Sequence, residues 1–328
     1  MGRKRISFEG LGRLPFEEWE DEWNPQQKPS PYDNIEIKNT QKVETRPSDG
    51  LLYYISFGSG SSGNSCYLGT KEGGIIIDAG IKTENIEKMI KANGIEMKKV
   101  HAVLLTHDHF DHVRYAYNLV RNNKHLKIFC TNRVLNGILR RTDISKRIKD
   151  YHTAIFKEIP FKIGEFEITA FEVPHDGSDN MGFSIAFGER NFVLATDMGK
   201  VMERARHYIS QADYLVIESN YDLKMLINGK YPKFQKARIQ TELGHMDNEH
   251  TAAFLKEIYN PRLKNIFLCH LSKENNTPEK ALEVAKNALE SIGATVGGAM
   301  ETIEDRKADV QLMVLPRYEA TRLFVFRP

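Results

Sequence analysis

Within Thr106-His107-Asp108-His109-Phe110-Asp111-His112, four potential metal ligands, His107, His109, Asp111 and His112, fall within six positions. The motif follows Val103-Leu104-Leu105, an apolar run that reads as a buried strand. A strand would send His107, His109 and Asp111 to one face and His112 to the other. A tight loop leading into a helix turns all four toward one point. Imidazole and carboxylate are the ligands of zinc, manganese or iron, and crowding them unpaired costs stability. The bland alternative is a solvated, histidine-rich turn. Two adjacent divalent ions need more ligands than one loop offers. A bridging carboxylate and further histidines are therefore expected at the ends of later strands.

The elements that must position those groups can be read in order. Leu51 to Phe57, Cys66 to Leu68 and Gly74 to Gly80 read as strands, the third carrying Asp78. A short helix covers residues 83 to 93, and Val100 to Leu105 is the strand that delivers the histidines. His112 to Asn122 has helical spacing in Val113, Ala116, Tyr117 and Val120. Phe166 to Val173 alternates as a strand and runs into His175, and Asn191 to Ala195 leads to Asp197. Tyr214 to Glu218 and Ile266 to Leu271 are the last two strands, ending in Glu218 and His270. Strands thus end repeatedly in a ligand-type residue: Asp78, His107, His175, Asp197, Glu218, His270. Such ends, lined along one edge, make a site on rigid supports. The mixture of strands and helices points to an α/β fold of two sheets with helices outside.

Gly58, Gly60 and Gly63 match a dinucleotide-binding glycine pattern, but a strand follows where that fold needs a helix. A phosphate loop of Walker type would need lysine where Asn64 stands. What survives is a Gly/Ser hairpin, with Ser61, Ser62 and Asn64 as candidate phosphate contacts; the alternative is a plain flexible hairpin. Two basic stretches, one with Arg140 and Arg141, the other with Lys233 and Lys236, read either as solvated helix faces or as tracks for a nucleic-acid backbone.

The 328 residues carry a net charge of +2, so no strongly charged partner is dictated by the total. Cys66, Cys130 and Cys269 form no C-x-x-C and suit a reducing, cytoplasmic setting. No apolar run is long enough to cross a membrane, and Met1 to Arg5 lacks the start of a signal peptide. Residues 1–50 form an acidic, proline-broken extension that includes Trp19 and Trp23, expected to be partly disordered or to act as an aromatic anchor. A catalytic domain is expected over 51–298. Residues 299–328 read as a C-terminal appendage, a hairpin around Pro316-Arg317. None of this sets an oligomeric state.

From Asp78 through the histidine motif to His175, Asp197 and His270, residues 51–298 resemble the metallo-β-lactamase superfamily. The resemblance implies an αββα four-layer sandwich with two divalent metal ions, Zn or Mn with Fe as a third candidate, at one edge. Carried over by position, His107, His109 and His175 hold one ion. Asp111, His112 and His270 hold the other, Asp197 bridges them, and Asp78 holds the histidine loop. The Gly/Ser hairpin, Glu218-Ser219-Asn220, Gly244-His245 and the stretch from His270 to Asn276 are similar to YycJ/WalJ-type exonucleases. The Glu218, His245 and His270 arrangement also resembles tRNase Z. Departures are the two terminal extensions and Met246-Asp247, where Leu-Ser is more usual.

The implied chemistry is in-line attack by a hydroxide shared between two metals. Asp111 is expected to orient the hydroxide. A poor leaving group, such as a sugar oxygen, needs a proton, and His245 oriented by Glu218 is the candidate donor; the alternative is a cap pair on the helix Asn248 to Ile258. The leading expectation is a DNA exonuclease, with an RNA-processing nuclease next to it. A small-molecule hydrolase of a cyclic phosphodiester or thioester competes, and a thioester needs no His245. A non-catalytic nucleic-acid-binding module is the third reading. Steep salt dependence separates a nuclease from a thioesterase.

Overall fold

The computed structural model describes residues 50–298, 305 and 307–328, and its strands form two sheets. In chain order they are β1 (Leu52–Gly58), β2 (Ser65–Gly69), β3 (Gly74–Ile77), β4 (Val100–Leu104), β5 (Lys127–Cys130), β6 (His152–Ala154), β7 (Phe161–Ile163) and β8 (Phe166–Glu172). They continue with β9 (Met181–Phe187), β10 (Arg190–Ala195), β11 (Tyr214–Glu218), β12 (Asn265–Cys269), β13 (Val296–Gly297), β14 (Val310–Val314) and β15 (Phe324–Phe326). One sheet has seven strands in the order β15-β1-β2-β3-β4-β5-β6, the other eight in the order β13-β14-β12-β11-β10-β9-β8-β7. Each is mixed: β3 to β6 run parallel, as do β10, β11, β12 and β14.

Alternation along the strands assigns the layers. In β11 and β12, Val216, Phe267 and Cys269 join a core that includes Ile75 and Val103 of the seven-stranded sheet. Their neighbours Leu215, Ile217, Ile266 and Leu268 point the other way, onto Ala205, Leu255 and Ala285 of the helices Glu203–Ile209, Asn248–Ile258 and Pro278–Glu290. Sheet lies on sheet, with helices outside, which is the αββα sandwich expected. Burial on both faces is why these strands are apolar runs with few polar breaks. No helix among the described residues is long and apolar enough to cross a membrane.

Two expectations change. The C-terminal stretch is not an appendage with a hairpin at Pro316-Arg317. β14 enters the eight-stranded sheet beside β12, and β15 pairs antiparallel with β1 in the other sheet. The strand ending in His270 is thus not the last. Leu312, Phe324 and Phe326 are buried, and each such side chain contributes about 1.5–3 kcal/mol. The helix expected over His112 to Asn122 is broken into Phe110–Val113 and Ala116–Asn122. The cause is local: Ala79 N–H donates to the His112 carbonyl at 2.7 Å, and Tyr115 N–H donates to the Ala79 carbonyl at 2.8 Å. The expectation for the N-terminal extension lies outside the described residues, Gly50 excepted.

Candidate metal centre

The site forms where parallel strands end. β3 runs into Asp78, β4 into the histidine loop, β10 into Asp197, β11 ends in Glu218, and β12 runs into His270. Chain crevices at carboxyl strand ends are the usual ligand positions in α/β sheets. Asp78, Asp197 and His270 have φ values of 60°, 52° and 55°. That left-handed conformation is uncommon outside glycine and costs on the order of 1–3 kcal/mol at each position. It turns the chain sharply where the strand stops. Gly80 allows the hairpin and the histidine loop to meet. A Cβ there would lie 1.6 Å from the Asp111 carbonyl oxygen, which accepts from Asn64 N–H at 2.8 Å.

Hydrogen bonds aim the imidazoles. The Asp78 carboxylate accepts from Thr106 N–H at 2.9 Å, from Thr106 Oγ1–H at 2.9 Å and from His112 Nδ1–H at 2.7 Å. His112 Nε2 then faces Asp197 Oδ2 at 3.1 Å and Asp111 Oδ2 at 3.6 Å. His175 Nδ1–H donates to the Gly244 carbonyl at 2.9 Å, which leaves Nε2 facing His109 Nδ1 at 3.2 Å. His107 Nε2 is buried with no hydrogen-bond partner. An orphaned buried nitrogen costs about 1–3 kcal/mol unless something binds it. Asp197 Oδ1 lies 3.4 Å from His270 Nδ1, and His270 Nε2 lies 3.3 Å from Asp111 Oδ2.

Donor atoms of His107, His109 and His175 gather within 4.8 Å of one another, as do those of Asp111, His112 and His270. Asp197 gathers in the same way with His107 and His112. All seven expected ligands are therefore in one place. The orphaned His107 nitrogen and the nitrogen-oxygen donor set fit a divalent metal ion. Electrostatics divides the imidazoles into two groups. Burial, with help from neighbouring imidazoles, holds His107 well below the usual histidine range, in the neutral form that ligates. His175 is lowered for the same reason. Burial works against charge at His112 and His270 too, but the surrounding carboxylates outweigh it: His112 is raised, and His270 is raised to about 10. Asp111 is held at about 2 by His112 and His270, against the effect of burial.

Beside these groups sits the Glu218–His245 pair. Glu218 is fully buried, and its Oε2 accepts from Met198 N–H at 2.9 Å and Met246 N–H at 3.2 Å. Its Oε1 lies 2.7 Å from His245 Nδ1. The His245 ring stands 4.9 Å from that of His175 and 5.3 Å from that of His270. A cap role for this pair finds no support. The helix Asn248–Ile258 is capped by Asp247, whose Oδ1 accepts from His250 N–H at 2.8 Å.

The expected substrate contacts fare unevenly. Ser61 and Ser62 are exposed at the hairpin tip. Asn64 is buried, and its amide lies 3.1 Å from Asp111 Oδ2 and 2.9 Å from His112 Nε2, so it belongs to the histidine–carboxylate cluster rather than to an open surface. Arg141 makes a two-bond pair with Asp143. Lys236 is spent on the Ile227 and Gly229 carbonyls at the end of the helix Leu223–Asn228. Arg140 donates to Ser178 Oγ at 2.6 Å, and Lys233 is exposed. Sequence reasoning missed three groups. Asp108 accepts from Ser178 N–H at 2.8 Å and fixes the histidine loop to the loop after His175. Asp176 Oδ1 lies 3.4 Å from His109 Nε2. The Asn220 amide donates to the His270 carbonyl at 2.7 Å. Each lies within two positions of an expected site residue, which is the signal that was available.

Comparison with known proteins agrees with this architecture. Residues 74–268 match the family model for a beta-lactamase superfamily domain. The chain is 32% identical over 251 residues to the exodeoxyribonuclease YycJ of Bacillus anthracis, covering 76% of this chain and 94% of that protein. Among solved structures, the metallo-beta-lactamase fold protein YhfI of Bacillus subtilis aligns with a TM-score of 0.59 at 16% identity, over 84% of this chain and all of that one. The short form of human tRNase Z aligns with a TM-score of 0.50 at 16% identity, over 67% of this chain and 93% of that one. These two likenesses speak for the fold. The chain belongs to the beta-lactamase superfamily and is a hydrolase of the metallo-β-lactamase fold.

Proposed function

We propose that the protein is a nuclease working with two divalent metal ions, most simply a DNA exonuclease of the cytoplasm. The observation that carries the reading is the Glu218–His245 pair beside the ligand cluster, at 2.7 Å. A thiolate leaves without help, whereas a deoxyribose or ribose oxygen needs a proton. The name of the Bacillus anthracis relative supports DNA as the substrate.

His107, His109 and His175 would hold one ion, and Asp111, His112 and His270 the other, with Asp197 between them. When bound, such ions lower the pKa of a water and withdraw charge from a phosphoryl oxygen. The remaining work falls to the chain. Asp111, held ionised, accepts a hydrogen bond from the attacking water and sets its direction. His245 carries a proton on Nε2 to the leaving oxygen. Burial opposes its charge, but Glu218 more than offsets this and raises it above the usual histidine range. Glu218 keeps Nδ1 protonated and the ring fixed. Asp78 holds the His112 ring and the Thr106 backbone in place.

A hydrolase of small phosphodiesters is the second reading. It is favoured by the internal use of Arg141 and Lys236, which removes two expected backbone contacts. One panel separates the readings: purified protein loaded with Zn or Mn, and end-labelled single- and double-stranded DNA and RNA beside a cyclic dinucleotide and a thioester. Stepwise release of mononucleotides from DNA is expected. Turnover confined to the small substrates would overturn the nuclease reading.

A further inference from the structure

We propose that Arg317, Lys273 and Tyr318 form the subsite for the nucleotide next to the scissile phosphodiester. This rests on the nuclease reading. Pro316 and Arg317 follow β14 and meet the Gly/Ser hairpin, where Ser59 N–H donates to the Pro316 carbonyl at 3.0 Å. Ser59 Oγ in turn accepts from His270 N–H at 2.9 Å. The Arg317 guanidinium donates to Ser61 Oγ at 3.3 Å and to the Leu271 carbonyl. It therefore sits where the hairpin joins the strand end that carries a candidate ligand.

Two of the arginines near the site are already committed to carboxylates. Arg141 is paired with Asp143 and Arg238 with Asp176. No carboxylate among the described residues lies within ion-pair reach of Arg317. Burial disfavours its charge, so an arriving phosphate would relieve a penalty as well as add a charge-assisted bond. Beside it opens a cleft of about 400 Å³, lined by Ser272, Lys273, Pro278, Arg317 and Tyr318 among others. That is within the roughly 300–1,000 Å³ usual for small-ligand sites. Lys273 is exposed, and Tyr318 is 65% exposed with its ring 5.8 Å from the Arg317 guanidinium. Two cations and an aromatic face are the parts of a single-strand site: the cations track the backbone and the ring stacks a base.

The test uses the metal-loaded, full-length protein, with the double variant Lys273→Ala/Tyr318→Ala, which alters only exposed side chains, and Arg317→Lys. Substrates are a single-stranded DNA oligonucleotide and bis(p-nitrophenyl) phosphate, which has no neighbouring nucleotide. For the double variant, KM for the oligonucleotide should rise at least about fivefold because a base no longer stacks, and selectivity for the oligonucleotide over the small diester should fall by the same factor. Arg317→Lys keeps the charge but not the paired donors, so it should raise the same KM by a larger factor than it slows the small diester. Binding of a non-cleavable phosphorothioate oligonucleotide to the double variant should show a salt slope flatter by about 0.7, since Lys273 no longer neutralises a phosphate. Equal losses on both substrates, or an unchanged KM and slope, would overturn the subsite. A second arm measures inhibition of small-diester hydrolysis by thymidine monophosphate and by inorganic phosphate. Thymidylate should be the better inhibitor, and the double variant should erase the difference. Equal inhibition of the parent by both anions overturns the subsite. If the parent cleaves no polynucleotide, the nuclease reading falls, and this arm still decides whether the cleft takes a nucleotide.

Discussion

Replacing His245 by alanine tests the proton-donor role most directly. The variant should fold. Glu218 loses one charged hydrogen bond, worth about 1.5–3 kcal/mol, but keeps the Met198 and Met246 amides and the His270 imidazole at 3.1 Å. A typical domain has about 5–15 kcal/mol to lose. His245 is also absent from both expected ligand sets, so the metal content should hold. General acid catalysis is worth roughly a hundred- to ten-thousand-fold, or about 2.7–5.4 kcal/mol of barrier. That whole loss should fall on natural phosphodiesters, whose alkoxide leaving groups need protonation. It should vanish on a nitrophenyl diester. Rates for a series of aryl and alkyl phosphodiesters, plotted against leaving-group basicity, should give a steeper slope for the variant than for the parent. Glu218→Gln should steepen the slope less, since it acts on the leaving group only through the orientation and charge of the imidazole. Parallel lines for parent and variant, or a metal-depleted His245→Ala protein, would refute the role.

Further outcomes follow from the same geometry. Asp197→Asn should fold, because asparagine tolerates the left-handed backbone, yet bind fewer ions than the parent by elemental analysis; full occupancy would remove Asp197 from the ligand set. Asp78→Gly, which keeps the left-handed turn, should weaken metal binding about 10–100-fold in chelator competition, because it frees the His112 ring and the Thr106 amide together. Before loading, His112 and His270 are held charged at neutral pH by their carboxylate neighbours. Metal must displace those protons, so loading should release protons and affinity should rise with pH up to about 10, the raised value for His270. Calorimetry in buffers of different ionisation enthalpy would detect this, and a buffer-independent heat would contradict it. Removing residues 310–328 should give an unfolded protein by circular dichroism, since β14 and β15 belong to different sheets.

Much of the candidate centre was legible because its expected ligands are local: four lie in one loop, and the rest close strands whose apolar runs are easy to see. Glu218 was singled out by the same strand-end logic, and His245 together with it through the resemblance to tRNase Z. The C-terminal stretch was misread because its partners are remote. β14 lies next to β12, and β15 next to β1, some 270 positions earlier along the chain; no local pattern encodes such pairing. The basic segments stayed ambiguous for a different reason. Charge is visible in a sequence, but its use is not. Lys236 caps a helix and Arg141 closes on a carboxylate two residues away. Arg317, unremarkable in its own segment, is brought to the centre only when β14 inserts.

The left-handed turns at Asp78, Asp197 and His270 tie chemistry to chain geometry. At each position a single residue must satisfy both a side-chain role and a backbone that most residues resist. Aspartate, asparagine and histidine tolerate that backbone better than others, and glycine best of all. The paths by which such a protein can lose its centre are therefore narrow. A glutamate at position 197 would keep the charge but strain the turn, whereas asparagine or glycine would keep the turn and lose the charge. A descendant that had abandoned catalysis while preserving its fold should carry asparagine or glycine at these three places. It would be recognisable by that signature before any activity was measured.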